Sequence, residues 1–266
     1  MAPTLTSFAA PRGSTQRPSG GRADADAVLQ ALIFDVDGTL ADTERDGHRP
    51  AFNAAFREAG LDWHWDEALY GELLAVTGGK ERIAHFVARH RPEFAQRPDY
   101  AERVAALHKA KTRHYTQLAA SGAIPLRPGV ARLLHEARSA GLRLAVATTT
   151  TSENVSALLV PALGPDAMAW FEVIGAGDVV PAKKPAPDIY LWVLERLRLP
   201  AAACLAFEDS ENGLKAALGA GLATIVAPCD YTRGQDFGGA AAVLDSLEGM
   251  ALSDLRAWLS GAAVSV

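Results

Sequence analysis

The chain has 266 residues, 49% of them hydrophobic and 21% charged, with a formal net charge of −5. That is enough apolar material for one large domain or two modest ones, and the acidic balance argues against nucleic-acid binding, which leans on a basic stripe. No apolar run reaches the ~18–20 residues of a membrane helix, and Cys204 and Cys229 form no CxxC pair, so neither a disulfide framework nor a zinc knuckle is encoded.

Residues 1–26 are rich in Pro, Gly, Ser, Thr and Arg and show no period of two or 3.6. They read as a disordered extension. Three arginines and a first acid only at Asp24 give them a faint likeness to a transit peptide, but the apolar stretch of a secretory signal is missing. A cytoplasmic location is expected, with a plastid as the alternative should the extension be a targeting remnant.

The first regular element is the apolar run 28–35, which ends in acid and meets Asp37-Gly38-Thr39, a turn signal. It reads as a buried central strand. Later apolar runs at 142–148, 171–176, 203–209, 222–227 and 241–245 read as further strands. Cys204, inside one of these runs, reads as a small buried residue. Helical patterns lie between the strands. The pattern at 128–140 has proline at its start and Gly141 just past its end. That at 187–197 puts Ile189, Val193, Leu194 and Leu197 on one face, and that at 210–220 opens on a Ser210 cap and closes at Gly221. The alternation predicts an α/β fold, a doubly wound Rossmann-like parallel sheet covered by helices.

The first crossover is anomalous. A parallel connection needs one helix, yet the run from Asp35 to Leu142 is several times longer than that. It carries helical patterns at 49–59, 66–76, 80–90 and 99–120 and no strand signal. The predicted organisation is therefore a core from 27–44 and 123–266, with a helical cap inserted at 45–122 and a return hinge at 124–127. Pro50 is acceptable only in a first helical turn, so the first insert helix is expected to start near His48. Trp63 and Trp65 are expected to pack inside the insert. Arg127 and Arg132 read as surface charge.

In an open parallel sheet, ligands bind beyond the carboxyl ends of the strands. The first strand delivers Asp35 and Asp37 there, with Gly38 allowing a sharp turn. The second delivers Thr148, Thr149, Thr150 and Thr151, a row of donors running into a helix N-terminus, which suits an anion. Lys183-Lys184-Pro185 follows the third strand, and Glu208-Asp209-Ser210 the fourth. Clustered carboxylates repel one another unless a cation sits among them, and oxygen ligands select Mg²⁺. Hydroxyls with a lysine mark a phosphate site. Together they point to phosphoryl transfer through an aspartyl-phosphate, with a second carboxylate as acid and base. His85, His90, His108, His114 and His135 share no metal-ligand spacing with acids.

DVDGT, the strand-end threonine, KKPAPD and FEDSENG, in that order, resemble the four motifs of the haloacid dehalogenase superfamily, from about Leu32 to Ala227. The resemblance implies Asp35 as nucleophile, Asp37 as acid and base, Thr148 and Lys184 on the transferring phosphate, and Mg²⁺ held by Asp35, Asp209 and the Asp37 carbonyl. Glu208 would assist directly or through water. The helical insert would be the family's cap. Residues 41–83, with TGGKER at 77–82, further resemble the CbbY subgroup, phosphatases associated with Calvin-cycle operons and plastids. Its known members remove the first-carbon phosphate of xylulose 1,5-bisphosphate. By that resemblance Glu44, His48, Arg49, Lys80 and Arg82 would face the substrate; Thr149, in the row of strand-end donors, is a further candidate substrate contact. A second substrate phosphate would call for cap cations such as Lys80 and Arg82. The implied ligands are Mg²⁺ and a small phosphorylated sugar, with no nucleic acid or membrane, and a monomer is expected. A phosphomutase of the β-phosphoglucomutase kind, or a general phosphoglycolate or sugar-phosphate phosphatase, shares the motifs. A receiver-like signalling module would lack the insert, and an inactive relative would be expected to lack a motif acid.

Overall fold

The chain leaves its first strand, Ala31–Phe34 (β1), directly into the acidic turn that the sequence marks. The computed structural model describes residues 28–76 and 78–259; the extension expected at 1–26, and Thr77 of the TGGKER stretch, lie outside them. Five more strands complete one sheet: β2 (Arg143–Ala147), β3 (Phe171–Gly175), β4 (Cys204–Glu208), β5 (Ala223–Val226) and β6 (Ala242–Val243). Their order is β3-β2-β1-β4-β5-β6, and every pairing is parallel. Each strand is shorter than its apolar run, because the runs include the residues that turn the chain away. Cys204 is fully buried.

The order makes β1 central, with β2 and β3 added on one side of it and β4, β5 and β6 on the other. Phe34 lies opposite Val146 on β2 and Phe207 on β4. The residues just beyond these three pairs therefore emerge side by side at one sheet edge.

Alternate side chains face opposite layers. Leu32, Phe34, Leu144, Val146, Leu205 and Phe207 meet one helix layer, and Ala31, Ile33, Ala145, Ala147 and Ala206 meet the other. Each large apolar side chain so buried contributes roughly 1.5–3 kcal/mol. The helices beside the sheet are α6 (Val130–Ser139), α7 (Ser152–Leu163), α8 (Asp188–Leu197), α9 (Glu211–Gly219) and α10 (Leu252–Leu259). Ser210 caps α9, its hydroxyl accepting from the Gly213 amide at 3.2 Å. Gly141 follows α6 with a φ of 76° that an L side chain resists.

Between β1 and β2 come a π turn (Glu44–His48), then α1 (Arg49–Glu58), α2 (Glu67–Leu73), α3 (Gly79–His90), the single turn α4 (Pro92–Ala95) and the long α5 (Tyr100–Ala120). They enclose a separate apolar cluster of Phe52, Phe56, Trp63, Trp65, Tyr70 and Phe86, among others. Trp63 and Trp65 pack there as expected.

One expectation holds and one is corrected. The first insert helix, α1, starts at Arg49 with His48 as its cap residue, as expected, and a π turn over Glu44–His48 leads into it. Arg49 N–H donates to the Glu44 carbonyl, one residue wider than an α turn. The wide turn shifts the hydrogen-bond ladder where Pro50 has no N–H to give, so proline sits in the first turn of α1 at little cost. Arg127 is not surface charge. Its side chain is 9% exposed, and it donates to the carbonyls of Gly38, Ala227 (2.6 Å) and Pro228 (2.9 Å). Arg132, half-buried, likewise ties the Leu247 and Met250 carbonyls. At the insert's two ends, Ala41 bridges Leu126, and Arg127 N–H donates to the Leu40 carbonyl at 2.8 Å.

Candidate active site

Asp35 follows β1 and stays buried. Its amide donates to the Phe207 carbonyl at 3.0 Å, continuing the sheet ladder one residue past the strand. One carboxylate oxygen accepts from Lys184 Nζ at 2.7 Å, and Thr39 Oγ1 lies 3.4 Å from the other. Lys184 also donates to Glu208 Oε1 at 2.6 Å. Lys183, indistinguishable from it in sequence, instead binds the Gly177 carbonyl and Asp178.

Asp35, Glu208 and Asp209 each offer an oxygen within 4.8 Å of the others. Burial pushes the Asp35 carboxyl up to about 7 against the pull of Lys184, with Glu208 and Asp37 adding to the rise. Burial, then Asp35 and Glu208, hold Asp209 well above the carboxylate range. Lys184, despite its burial, is held above its ordinary value by the two carboxylates it bridges. Glu208 Oε1 is saturated by Lys184 and by the Tyr190 hydroxyl at 2.5 Å. Its Oε2 is buried without a partner. An orphaned anionic oxygen beside two more acids is costly unless a cation takes it. The all-oxygen donor set suits Mg²⁺. Glycines make the room. A Cβ on Gly38, whose φ is 85°, would strike the Asp209 carboxylate, and one on Gly213 would strike Glu208.

Thr148 lies at the end of β2, buried, its amide on the Gly175 carbonyl at 2.9 Å. The Thr150 amide donates to its hydroxyl at 3.3 Å, and Thr151 caps α7. Thr149 is exposed beside them. This edge faces the N-terminus of α7, a ready seat for an anion.

Asp37 is held from the insert side. Thr43 Oγ1 donates to Asp37 Oδ1 at 2.6 Å, and His48 Nε2 is 3.3 Å from the same oxygen. His48 is stacked on Tyr115, centroids 4.0 Å apart, and its Nδ1 lies 2.9 Å from Lys111 Nζ. An ammonium can only donate, so Nδ1 accepts and Nε2 carries the proton toward Asp37. Burial alone would raise Asp37; His48 and Thr43 outweigh it and hold the group below the carboxylate range.

Lys111 was not singled out from sequence. A lysine on the apolar stripe Val104, Leu107, Tyr115, Ala119 is the signal that could have found it. Burial lowers it from 10.5 to about 8, against Glu44 and Asp37, which raise it. The folded protein thus binds fewer protons than the unfolded chain between pH 8 and 10.5, and this group makes stability rise with pH across that window. Below pH 8 the buried charge costs about 3 kcal/mol. Lys111→Met is therefore expected to raise the melting temperature at pH 7, to abolish that rise toward pH 10, and to slow turnover. Melts at the two pH values with parallel rate measurements check it; an unchanged or lower melting temperature at pH 7 refutes it.

The remaining insert residues separate into two groups. Glu44 accepts from the Tyr70 hydroxyl, and Arg82 Nη1 donates to that hydroxyl at 2.9 Å while lying 3.7 Å from Glu44. Tyr70, missed because it reads as a core aromatic, thus joins two of the expected substrate residues. Lys80 points away from Arg82, two residues along the same helix. It is exposed and lines a groove of about 690 Å³ with His108, Lys109, Thr112 and Thr116. Arg49 lies at the insert edge, 3.2 Å from Glu67.

Residues 29–221 match the family described as haloacid dehalogenase-like hydrolase. A plasmid CbbY protein of Cupriavidus necator is 54% identical over 219 residues, 82% of this chain and 86% of its own length. The crystal structure of CbbY from Rhodobacter sphaeroides in complex with phosphate is 50% identical, with a TM-score of 0.78 over 86% of this chain and 99% of that one. A mutant of that protein in complex with xylulose-(1,5)bisphosphate matches at 49% identity and a TM-score of 0.77, over 86% of this chain and all of the other. The chain belongs to the haloacid dehalogenase-like hydrolases and, within them, to the CbbY proteins.

Proposed function

We propose that the chain is a Mg²⁺-dependent phosphatase that hydrolyses a small sugar phosphate through a phospho-aspartate on Asp35, with xylulose 1,5-bisphosphate as the preferred substrate. The observation that carries this is the buried group of Asp35, Lys184, Glu208 and Asp209 at the edge where Thr148 and the α7 N-terminus also emerge. The complex of the related CbbY with the bisphosphate supports the choice of substrate.

Asp35 attacks the phosphorus, and the sugar oxygen leaves as the new O–P bond forms. Asp37 gives that oxygen a proton. It then takes a proton from the water that cleaves the acyl phosphate, which restores Asp35 and releases inorganic phosphate. In the arrangement described, Asp37 is a carboxylate, the form required for the second step. For the first it must be protonated, so substrate has to weaken the grip of His48 and Thr43, after which burial raises the group by itself. Lys184 and Thr148 hold the phosphoryl oxygens. Asp35, Asp209 and the Asp37 carbonyl would hold Mg²⁺, with Glu208 Oε2 able to join directly or through water. When bound, the ion neutralises the phosphoryl charge and the crowded acids. Helices of 45–122 act as a cap over a core of 27–44 and 123–266, and Glu44, His48, Arg49 and Arg82 face the sugar and its second phosphate, whereas Lys80 opens on the separate groove beside His108 and Lys109.

The test is phosphate release with Mg²⁺ from xylulose 1,5-bisphosphate, with β-glucose 1-phosphate in parallel. A kcat/KM for the bisphosphate higher by roughly 10²-fold or more is expected, since only it satisfies the cap cations. Absence of bisphosphate turnover, with glucose 6-phosphate formed in the other sample, would move the function to a mutase.

A further inference from the structure

The connection after β5 leaves the sheet and reaches the helical insert. Its base is fixed to the core: Arg127 holds the Ala227 and Pro228 carbonyls. The Cys229 amide donates to Thr232 Oγ1 at 2.9 Å, and Thr232 lies 3.5 Å from Asp209 Oδ2. Its tip rests on the insert. Asp230 accepts from Arg45 Nη1 at 2.8 Å. The Tyr231 ring meets the Tyr70 ring edge-on, centroids 5.8 Å apart at 68°. It covers Gly71 of α2 closely enough that a Cβ there would lie 3.4 Å from it. Tyr231 thereby packs into the insert's own apolar cluster, although it belongs to a loop between two strands of the sheet.

We propose that the 228–233 loop is a clasp between core and insert, and that Tyr231 is a positioning residue for substrate recognition. Both of its contacts land on the substrate-facing wall. Tyr70 carries the hydrogen bonds to Glu44 and Arg82, and Arg45 neighbours Glu44 in the π turn that also aims His48. The Arg45–Asp230 pair is solvent-exposed and screened, so it holds weakly. The aromatic contact carries most of the grip: the Tyr231 ring packs on the insert's apolar cluster, with its hydroxyl beside Arg49. Withdrawing the ring frees Tyr70 to tilt, and the Glu44–Tyr70–Arg82 group loses its fixed place. The ring contacts of Tyr231 fall on the insert, while the loop meets the sheet edge only through its base, where Thr232 lies beside Asp209 and Arg127 keeps the backbone in place.

This inference rests on the reading that Glu44, Tyr70 and Arg82 face the sugar. Tyr231→Ala and Tyr231→Phe are compared on xylulose 1,5-bisphosphate and on p-nitrophenyl phosphate. The alanine variant is expected to raise KM for the bisphosphate by roughly tenfold while kcat/KM for the small ester stays within about twofold. The phenylalanine variant, which keeps the ring, is expected to restore KM. Equal losses on both substrates in the alanine variant, or no rescue by phenylalanine, overturn the positioning role. If the wild-type enzyme does not hydrolyse the bisphosphate, the substrate reading fails on its own. The clasp is then judged by amide hydrogen exchange in α2. Faster exchange there in Tyr231→Ala supports it, and unchanged exchange refutes it.

Discussion

Asp35→Asn should remove turnover by roughly 10⁴-fold or more while leaving the protein folded. The side chain keeps its shape, and Lys184 keeps Glu208 at 2.6 Å, so no buried cation is stranded. What is lost is the anionic oxygen that bonds to phosphorus, and no neighbour can replace it. Asp37 is engaged by Thr43 and His48, and Glu208 by Lys184 and Tyr190. Single-turnover phosphate release, together with the circular dichroism of the variant, checks both halves. Retention of a tenth of the wild-type rate, to order of magnitude, would move the nucleophile to another residue.

Lys184→Met should give the largest loss of stability. It removes the cation between two buried carboxylates, and an ion pair broken from one side costs about 3–5 kcal/mol. The direction with pH is specific. Asp35 already stands at about 7 rather than 3.8 with Lys184 in place, so the folded protein binds the extra proton. Without the lysine the group rises further, and the stability it contributes is lost as pH climbs through that higher value. In the presence of a chelator, urea midpoints at pH 6 and pH 8 should therefore show a larger drop for the variant at pH 8. An equal drop at both would mean that the carboxylates are not what Lys184 compensates.

Most of the sheet edge was legible in the sequence because apolar runs that end in acid or threonine are unusual and have few structural uses. Asp35, Thr148, Glu208 and Asp209 all lie where those runs end. The choice between Lys183 and Lys184 was not legible from spacing, since it depends on which way the loop after β3 turns. Three tyrosines hid more. Tyr70 in the insert, Tyr190 on α8 and Tyr231 in the loop after β5 look like core aromatics, and only the three-dimensional partners of their hydroxyls and rings show otherwise. Arg127 looked like surface charge because sequence cannot show that three carbonyls from two distant segments converge on it. The aim of His48 was obscured by Pro50, which signals a helix start but says nothing of a π turn upstream.

The pairing of Leu40 and Ala41 with Leu126 and Arg127 has a consequence for how the chain folds and diversifies. Closing a flexible connection between β1 and β2 would cost entropy that rises with its length, by about 0.6 kcal/mol per doubling. A folded insert that begins and ends at one point behaves as a connection of only a few residues, whatever it contains. Strand pairing at the centre of the sheet is thereby insulated from changes in the helices above it. New helices, loops and recognition residues can be tried between these two joined ends while the strand that carries Asp35 keeps the same neighbours.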